Sequence, residues 1–381
     1  MKPLRTWDSP PVIAELAEAD ESERSALLGV VGTPIQRGPL TTFVHLGDAD
    51  SVGVKHFMAL FPPIPALRPI VPGLQAVTVR LPEGARVEYK LSVSIGDQTD
   101  VDVDPFNSRL ATDPHGANSV AFAYGYVEPP WVAPRSGSKG VLRRGFVESK
   151  AFGHRRSVQW YHPAEPSGLM PLLVVHDGSD FVHHAGIVDV LDNLIADRVI
   201  PPLVAALIDS PDRLVEYTDD RRHAAYVNEV IGAAVRRHGA HPDRARHVYL
   251  GASMGGVAAL SAAWRMGGTG GLVLLSGSFV TALGGPMQRG EQFARVIDFM
   301  ERFTDDPGHP AARIYQAWGE YEGLVPDNRA FAPILEGTGA QTIYQEVPDG
   351  HHWHNWRDRL GEALSHTFSG LDAVRSVTVR S

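Results

Sequence analysis

One serine of this chain stands in a pattern that favours nucleophilic chemistry. Ser253 has a glycine two residues before it and another two residues after it, in the run Gly-Ala-Ser-Met-Gly at residues 251–255. The β-branched and aromatic stretch before this run predicts a strand, and the small residues after it predict a helix. Glycines at these positions permit a strained turn and a close approach of strand and helix, so the hydroxyl projects from the sheet edge. The pattern predicts a serine nucleophile.

A serine nucleophile requires a general base, and the best candidate lies near the end of the chain. His351 stands between the last predicted strand and the last predicted helix, in the run Pro-Asp-Gly-His-His-Trp at residues 348–353. Its loop is therefore expected at the same edge of the sheet as the serine. Because an imidazole titrates near neutral pH, it can take the proton from the hydroxyl and return it to a leaving alcohol.

An acid that orients the histidine is expected in the loop after the preceding strand. Glu322 is the first choice there, and Glu320 and Asp327 are the alternatives. The acid would hold one tautomer of the histidine and stabilise the imidazolium that forms during the reaction.

Two backbone N–H groups are expected to bind the developing oxyanion. One is the amide of Met254, directly after the nucleophile, and the other is the amide of Ser179, in the loop after the first predicted strand of this half. One such donor is typically worth about 3–4 kcal/mol in the transition state. Asp177 in the same loop is predicted either to stabilise the turn or to contact substrate. Arg213, in a later loop, can face an anionic substrate.

The elements that must position these residues differ between the two halves of the chain. Short β-rich runs broken by proline and glycine fill residues 35–127 and predict a small β-sandwich, after one helix over residues 12–28. A stretch rich in Pro, Gly and Ser follows, and beyond it strands alternate with helices. This alternation predicts a mostly parallel sheet with helices on both faces. The predicted domains are a β-sandwich at 1–137 and an α/β-hydrolase domain at 138–381.

Composition excludes several other classes of function. The chain has 381 residues, a formal net charge of −9 and no cysteine. The negative charge predicts no nucleic-acid or anionic-membrane partner, and the missing cysteines exclude disulfides and thiolate metal sites. No run reaches the roughly 18 apolar residues of a membrane span, and the first residues lack a secretion signal, so a cytoplasmic location is expected. The histidines lack the spacing of a metal-binding motif, so we expect neither metal nor cofactor.

Several motifs resemble those of the enterochelin (enterobactin) esterases, which are α/β-hydrolases with an N-terminal immunoglobulin-like domain. In the first half, the resemblance rests on residues 81–90 and on Asp-Pro-Phe-Asn at 104–107. In the second half, the matching runs are His-Asp-Gly at 176–178, Ala-Leu-Ile-Asp at 206–209, Gly-Ala-Ser-Met-Gly-Gly at 251–256, Ser-Gly-Ser at 276–278 and residues 350–356.

The resemblance implies roles for particular residues. Ser253 matches the nucleophile of the family, His351 its histidine, and Glu322 the acid, while Arg213 falls where siderophore esterases place a substrate-facing arginine. Relatives commonly have Gly-Gly-His-Asp-Trp around the histidine, whereas this chain has Asp-Gly-His-His-Trp, so His352 is the alternative base.

The resemblance also implies a class of substrate. The expected substrate is a small-molecule ester, an iron-loaded siderophore such as a catecholate trilactone, whose hydrolysis releases iron inside the cell. Alternatives are a carbohydrate or feruloyl esterase and an acyltransferase with the same triad. Two other possibilities are a non-catalytic binding protein and an N-terminal half that binds a partner independently. A monomer or weak homodimer is expected.

Overall fold

The β-rich runs of the first third of the chain form ten short strands. The computed structural model describes residues 1–284 and 289–370. The first ten strands are β1 (Thr6–Trp7), β2 (Ile35–Arg37), β3 (Leu40–Leu46), β4 (Ser51–His56), β5 (Arg68–Val71), β6 (Leu74–Val79), β7 (Arg86–Ile95), β8 (Gln98–Asp102), β9 (Leu110–Asp113) and β10 (Gly116–Phe122).

These strands make two antiparallel five-stranded sheets. The order is β1-β6-β3-β2 with β5 beside β6 in the first, and β4-β7-β10-β9 with β8 beside β7 in the second. Apolar side chains of both sheets share one core, in which Phe43 and Tyr89 meet edge to face with ring centroids 4.9 Å apart. The shared core confirms the predicted all-β sandwich. Its immunoglobulin-like type stays a prediction.

Two helices stand where the sequence predicts one over residues 12–28. They are α1 (Pro11–Glu18) and α2 (Glu21–Val31). The chain leaves the helical conformation at Asp20, whose carboxylate accepts the Glu23 amide at 2.9 Å while the Glu23 side chain accepts the Asp20 amide at 3.2 Å. This reciprocal cap starts a second helix, which the continuous Ala, Glu and Leu composition does not reveal.

Strands alternate with helices in the rest of the chain. The strands are β11 (Val141–Ser149), β12 (His154–His162), β13 (Leu172–His176), β14 (Val204–Ile208), β15 (His247–Ala252), β16 (Thr269–Leu275), β17 (Ala311–Gly319) and β18 (Gln341–Val347). The helices are α3 (Gly178–His183), α4 (Ile187–Ala196), α5 (Arg213–Glu216), α6 (Arg221–Arg237), α7 (Met254–Arg265), α8 (Ala294–Asp305), α9 (Val325–Glu336) and α10 (Trp353–Thr367). Short 3-10 turns cover Pro130–Val132, Arg244–Arg246 and Glu291–Phe293.

The eight strands form one sheet in the order β11-β12-β14-β13-β15-β16-β17-β18. Strands β14, β13, β15, β16 and β17 are paired in parallel, whereas β11 and β12 form an antiparallel hairpin at the edge. The five central strands confirm the predicted mostly parallel sheet. The hairpin is an addition, because the sequence analysis takes β13 as the first strand of this half.

The described chain divides into two sets of residues by its contacts. We call them the β unit (Met1–Glu128, Gly319–Glu322 and Val347–Asn355) and the α/β unit (Pro129–Trp318, Gly323–Glu346 and the chain from Trp356). The predicted domain boundary at residues 137 and 138 stays a prediction. Among the helices of the described ranges, none has the length and apolar character of a membrane span.

Candidate active site

Ser253 lies between β15 and α7, in a backbone conformation that few residues adopt. Its φ is 55° and its ψ is −122°. Such a conformation costs on the order of 1–3 kcal/mol and persists only where neighbouring groups fix it. Here the Ser253 amide donates to the Leu275 carbonyl at 2.9 Å, and the Ser253 carbonyl accepts the amides of Gly256 and Ser278, each at 3.1 Å. The strand, turn and helix predicted around this serine are confirmed.

The two glycines that flank the serine are required by close packing. A Cβ atom at Gly251 would overlap the carbonyl group of Gly255. A Cβ atom at Gly255 would lie 2.9 Å from Asp177 Oδ2 and 3.3 Å from His176 Cβ. Both distances are shorter than ordinary van der Waals contact, so a side chain at Gly251 would displace the turn and one at Gly255 would push against Asp177. The spacing of the glycines therefore has the steric reason that the sequence predicts.

The half-buried Ser253 hydroxyl has one polar neighbour that the sequence analysis did not assign. Ser253 Oγ lies 3.3 Å from the hydroxyl of the buried Ser278. Ser278 stands in the loop after β16, the strand beside β15. The run Ser-Gly-Ser at 276–278 is the only signal in the sequence that points to this neighbour.

The amide of Met254 is placed as an oxyanion donor would be. Met254 is the first residue of α7, so its N–H group has no carbonyl partner within the helix. The positive end of the helix dipole favours a negative charge at the same point.

The structure contradicts the prediction that the Ser179 amide is the second oxyanion donor. This amide donates to Asp209 Oδ1 at 2.9 Å, and the Ser179 hydroxyl donates to Asp209 Oδ2 at 2.5 Å. The prediction rested on the position of Ser179 directly after the turn. It did not include Asp209, which follows the neighbouring strand β14 and occupies both donors of Ser179.

Asp177 and Arg213, predicted as substrate contacts, bind each other. Arg213 donates from Nε to Asp177 Oδ1 at 2.7 Å and from Nη2 to Oδ2 at 2.9 Å. The Asp177 side chain is buried, whereas 43% of the Arg213 side chain is exposed. Burial raises the pKa of Asp177 to about 6, although the charge of Arg213 opposes the shift. Asp177 thus holds the guanidinium that reaches solvent.

Of the three acids that the sequence offers, Glu322 contacts His351, and both residues belong to the β unit. Its carboxylate is fully buried, and Oε2 lies 2.9 Å from Nδ1 of His351. The alternatives have other roles: Asp327 pairs with Arg289, and Glu320 is exposed. Of the three candidates, Glu322 alone is joined to His351 in the described part of the chain.

The two adjacent histidines are in different environments. The His351 side chain is 34% exposed, whereas His352 is 7% exposed and lies between two carboxylates. His352 Nδ1 is 3.3 Å from Glu88 Oε1, and Nε2 is 2.7 Å from Asp349 Oδ1. His351 therefore combines an acid partner with the solvent access that a general base needs, whereas both ring nitrogens of His352 face carboxylates and its side chain is buried. Within the described ranges, no group of three His, Asp or Glu side chains is arranged to hold a metal ion.

A parallel sheet with a strained serine after a central strand is typical of α/β-hydrolases. The family model "Esterase: Putative esterase" matches residues 149–367, more than half of the chain. The chain belongs to this esterase family. A search of curated protein sequences finds no match.

Solved structures of enterobactin esterases have a similar fold. The enterobactin esterase FES from Shigella flexneri in the presence of enterobactin superposes with a TM-score of 0.72 at 20% identity, covering 87% of this chain and 93% of that one. The ferric enterobactin esterase from Salmonella typhimurium gives 0.72 at 20% identity, covering 87% and 94%. A ferulic acid esterase gives 0.51 at 15% identity, covering 61% and 98%. These similarities confirm the predicted fold class.

Proposed function

We propose that this esterase uses Ser253 as nucleophile, His351 as general base and acid, and Glu322 as the residue that orients His351. The observation that carries the proposal is the contact of the buried Glu322 carboxylate with His351 Nδ1 at 2.9 Å. This contact fixes the tautomer whose Nε2 can accept a proton, as in serine hydrolases generally.

The order of the strands supports a common site for these residues. Ser253 follows β15, while Glu322 and His351 follow β17 and β18 of the same sheet. Strands β15, β16 and β17 are parallel, and β17 leads to β18 through a helix, the usual connection between parallel strands. Loops after parallel strands lie at one edge of a sheet.

The proposed reaction has two steps. Ser253 Oγ attacks the ester carbonyl carbon while His351 Nε2 takes its proton, and the Met254 amide binds the oxyanion. The ester C–O bond breaks, and His351 returns the proton to the leaving alcohol. A water molecule then attacks the acyl-enzyme, with His351 again taking and returning a proton, and the carboxylic acid is released.

The substrate we propose is the ester of an iron-loaded siderophore, a catecholate trilactone. The family resemblance supports this class of substrate and a cytoplasmic site of action, and a similar structure was determined in the presence of enterobactin. The exposed part of Arg213 offers a fixed cation to the anionic oxygens of such a ligand.

A mass-spectrometric time course tests mechanism and substrate together. Wild type and Ser253→Ala are incubated with ferric enterobactin, iron-free enterobactin and p-nitrophenyl butyrate. We expect the wild type alone to cleave the trilactone. Cleavage of the nitrophenyl ester without the trilactone would retain the Ser253 mechanism and reject the siderophore substrate. Equal activity of both proteins would reject Ser253 as the nucleophile.

Feruloyl sugars form a further arm of the experiment, because a ferulic acid esterase has a similar fold. Faster turnover of feruloyl sugars than of the trilactone would show that the protein is a carbohydrate esterase rather than a siderophore esterase.

A further inference from the structure

Two opposite charges are buried side by side in the β unit. Arg86 and Glu88 lie on one face of β7, with 1% and 2% of their surfaces exposed, and Arg86 Nη1 is 3.0 Å from Glu88 Oε1. Removing charges from water is costly, and a buried ion pair contributes little net stability compared with apolar residues of the same size. The other partners of this pair therefore indicate its role.

Two of those partners lie on the loop that carries His351 and on the first turn of α10, which follows it. His352 Nδ1 is 3.3 Å from Glu88 Oε1, and Arg86 Nη2 contacts Nδ1 of His354. The second oxygen of Glu88 accepts a hydrogen bond at 3.0 Å from Asn118, on the neighbouring strand β10. Strand β7 thus contacts the histidine loop at His352 and the start of α10 at His354, both within three positions of His351.

The charges of this cluster balance when His352 is protonated. Burial by itself lowers the pKa of His352, but the carboxylates of Asp349 and Glu88 outweigh burial and raise this pKa above its ordinary value. Burial likewise opposes ionisation of Glu88, but His352 and Arg86 bring its pKa below the ordinary value. Two cations, Arg86 and His352, then face two carboxylates, Glu88 and Asp349, and these contacts keep His352 in place.

Fixing His352 also fixes the direction of its neighbour. The buried His352 side chain points into the cluster, and the adjacent, partly exposed His351 side chain meets Glu322. The backbone just before His351 is held as well, because Gly350 donates to Asp349 Oδ1 and accepts from Asn355 Nδ2, each at 2.8 Å.

The loop of the acid is attached to the same unit. The Leu60 amide donates to the Tyr321 carbonyl at 3.0 Å, and the Tyr321 amide donates to the Asp349 carbonyl at 3.1 Å. The ring of Phe61 packs edge to face on Tyr321, with centroids 5.2 Å apart. Both partners of the contact between Glu322 and His351 are therefore anchored to the β-sandwich.

We propose that Arg86, Glu88 and His352 are positioning residues. They hold the histidine loop, between β18 and α10, so that His351 Nδ1 donates to Glu322. The β-sandwich is then part of the hydrolytic machinery rather than an independent binding module. The effect on turnover rests on the proposed function, whereas the effect on the geometry of His351 does not.

Two variants and one matched control test this role. Glu88→Gln removes one charge of the cluster at constant volume, and His352→Asn removes the bridge between Glu88 and Asp349. The control is Tyr89→Phe on the same strand, which removes the buried hydrogen bonds of the Tyr89 hydroxyl to Asp104 at 2.7 Å and from Asn107 at 3.1 Å, both outside the two loops. Melting temperatures identify any variant that fails to fold, and Glu88→Gln is the milder replacement.

The first readout is steady-state hydrolysis of p-nitrophenyl butyrate. A misplaced general base lowers kcat by about 10- to 100-fold and leaves KM nearly unchanged. We expect this pattern for Glu88→Gln and His352→Asn, and full kcat for Tyr89→Phe despite a lower melting temperature. Folded variants with wild-type kcat would overturn the proposal, as would an equal loss of kcat in the control.

The second readout is independent of turnover. In ¹⁵N-histidine-labelled protein, the Nδ1 proton of His351, assigned by its absence in His351→Gln, should give a downfield signal. We expect Glu88→Gln and His352→Asn to shift or abolish this signal and Tyr89→Phe to retain it. If the signal responds in this way while the wild type hydrolyses no ester, the positioning role holds and the proposed function fails. An unchanged signal in both variants would overturn the positioning role.

Discussion

Ser253, the proposed nucleophile, and the contact between Glu322 and His351, the proposed acid and base, are held by different physical means. Around Ser253, two closely packed glycines and main-chain hydrogen bonds to Leu275, Gly256 and Ser278 fix a strained turn. Around His351, buried charged side chains fix a loop, and Arg86 and His354 are 268 residues apart in the sequence. The turn therefore has a recognisable local pattern and is held by main-chain contacts, whereas the histidine loop is held by side chains from a distant strand of the folded β unit.

The difference has a consequence for tolerance to change. At Gly251, an added methyl group meets the backbone of the next helix, which cannot move without disrupting the turn. In the charged cluster, the contacts are side chain to side chain, so we expect a substitution to displace the loop only partly. We expect changes at the turn to abolish activity and changes in the cluster to reduce it.

The largest effect is expected at the nucleophile. Ser253→Ala should lower kcat by roughly 10⁴–10⁶-fold, because the residues of a catalytic triad act as a unit. Circular dichroism and the melting temperature should remain those of the wild type. Activity of the same order as the wild type in a purified, folded variant would contradict the role of Ser253.

The next effect is expected at the acid. Glu322→Gln should lower kcat by about 10⁴-fold, because a neutral amide favours the wrong tautomer of the histidine. Glu320→Gln is the matched control, since Glu320 is exposed and only two positions away, and it should retain kcat. Equal losses in the two variants would remove Glu322 from the mechanism.

A smaller effect is expected in substrate binding as the pH changes. Because burial raises the pKa of Asp177 to about 6, its carboxylate takes up a proton as the pH falls through 6 and loses its charge toward Arg213. The neutral side chain no longer holds the Arg213 guanidinium in place for the ligand. The Kd of Ser253→Ala for an anionic ester should therefore rise below this pH. In Ser253→Ala/Asp177→Asn the Kd should be higher at neutral pH and lack this transition. Isothermal titration calorimetry between pH 5 and 8 measures both, and a transition that persists in the double variant would exclude Asp177 as its source.

The smallest effect concerns stability rather than activity. Burial lowers the pKa of His176 to about 4 and that of His223 well below its ordinary value of 6.5. Below pH 6.5 the unfolded chain therefore binds more protons than the folded one, so the free energy of unfolding falls as the pH falls. Each histidine should cost up to about 2 kcal/mol between pH 6.5 and 5.

Urea unfolding at these two pH values measures this loss. His223→Phe should reduce it, whereas His115→Asn, a change at an exposed histidine, should leave it unchanged. An undiminished loss in His223→Phe would show that other groups cause the acid sensitivity.

The sequence predicts best what neighbouring residues determine. The strand, turn and helix around Ser253 are confirmed, because the apolar and small residues of this run and the contact of Gly251 with Gly255 are local. The parallel sheet is confirmed as well, since each strand and helix carries its own apolar pattern. The hairpin of β11 and β12 was missed, because no helix separates these strands from one another.

What the sequence did not reveal depends on residues that meet only after folding. The Ser179 amide was misassigned because Asp209, thirty positions later, occupies it. Arg86 and Glu88 read as ordinary surface charges of a β-strand, and nothing near them in the sequence points to a histidine loop. The break between α1 and α2 was missed for a smaller reason, a capping carboxylate at Asp20 within a helix-forming stretch.

The most direct test of the central claim is to trap the nucleophile. The wild type is treated with a fluorophosphonate probe, digested and sequenced by mass spectrometry, beside Glu322→Gln as a variant with intact Ser253 and a disoriented base. We expect one modified residue, Ser253, with labelling at least about 100-fold slower in Glu322→Gln. An unmodified Ser253 in active enzyme, or a label on another residue, would contradict it.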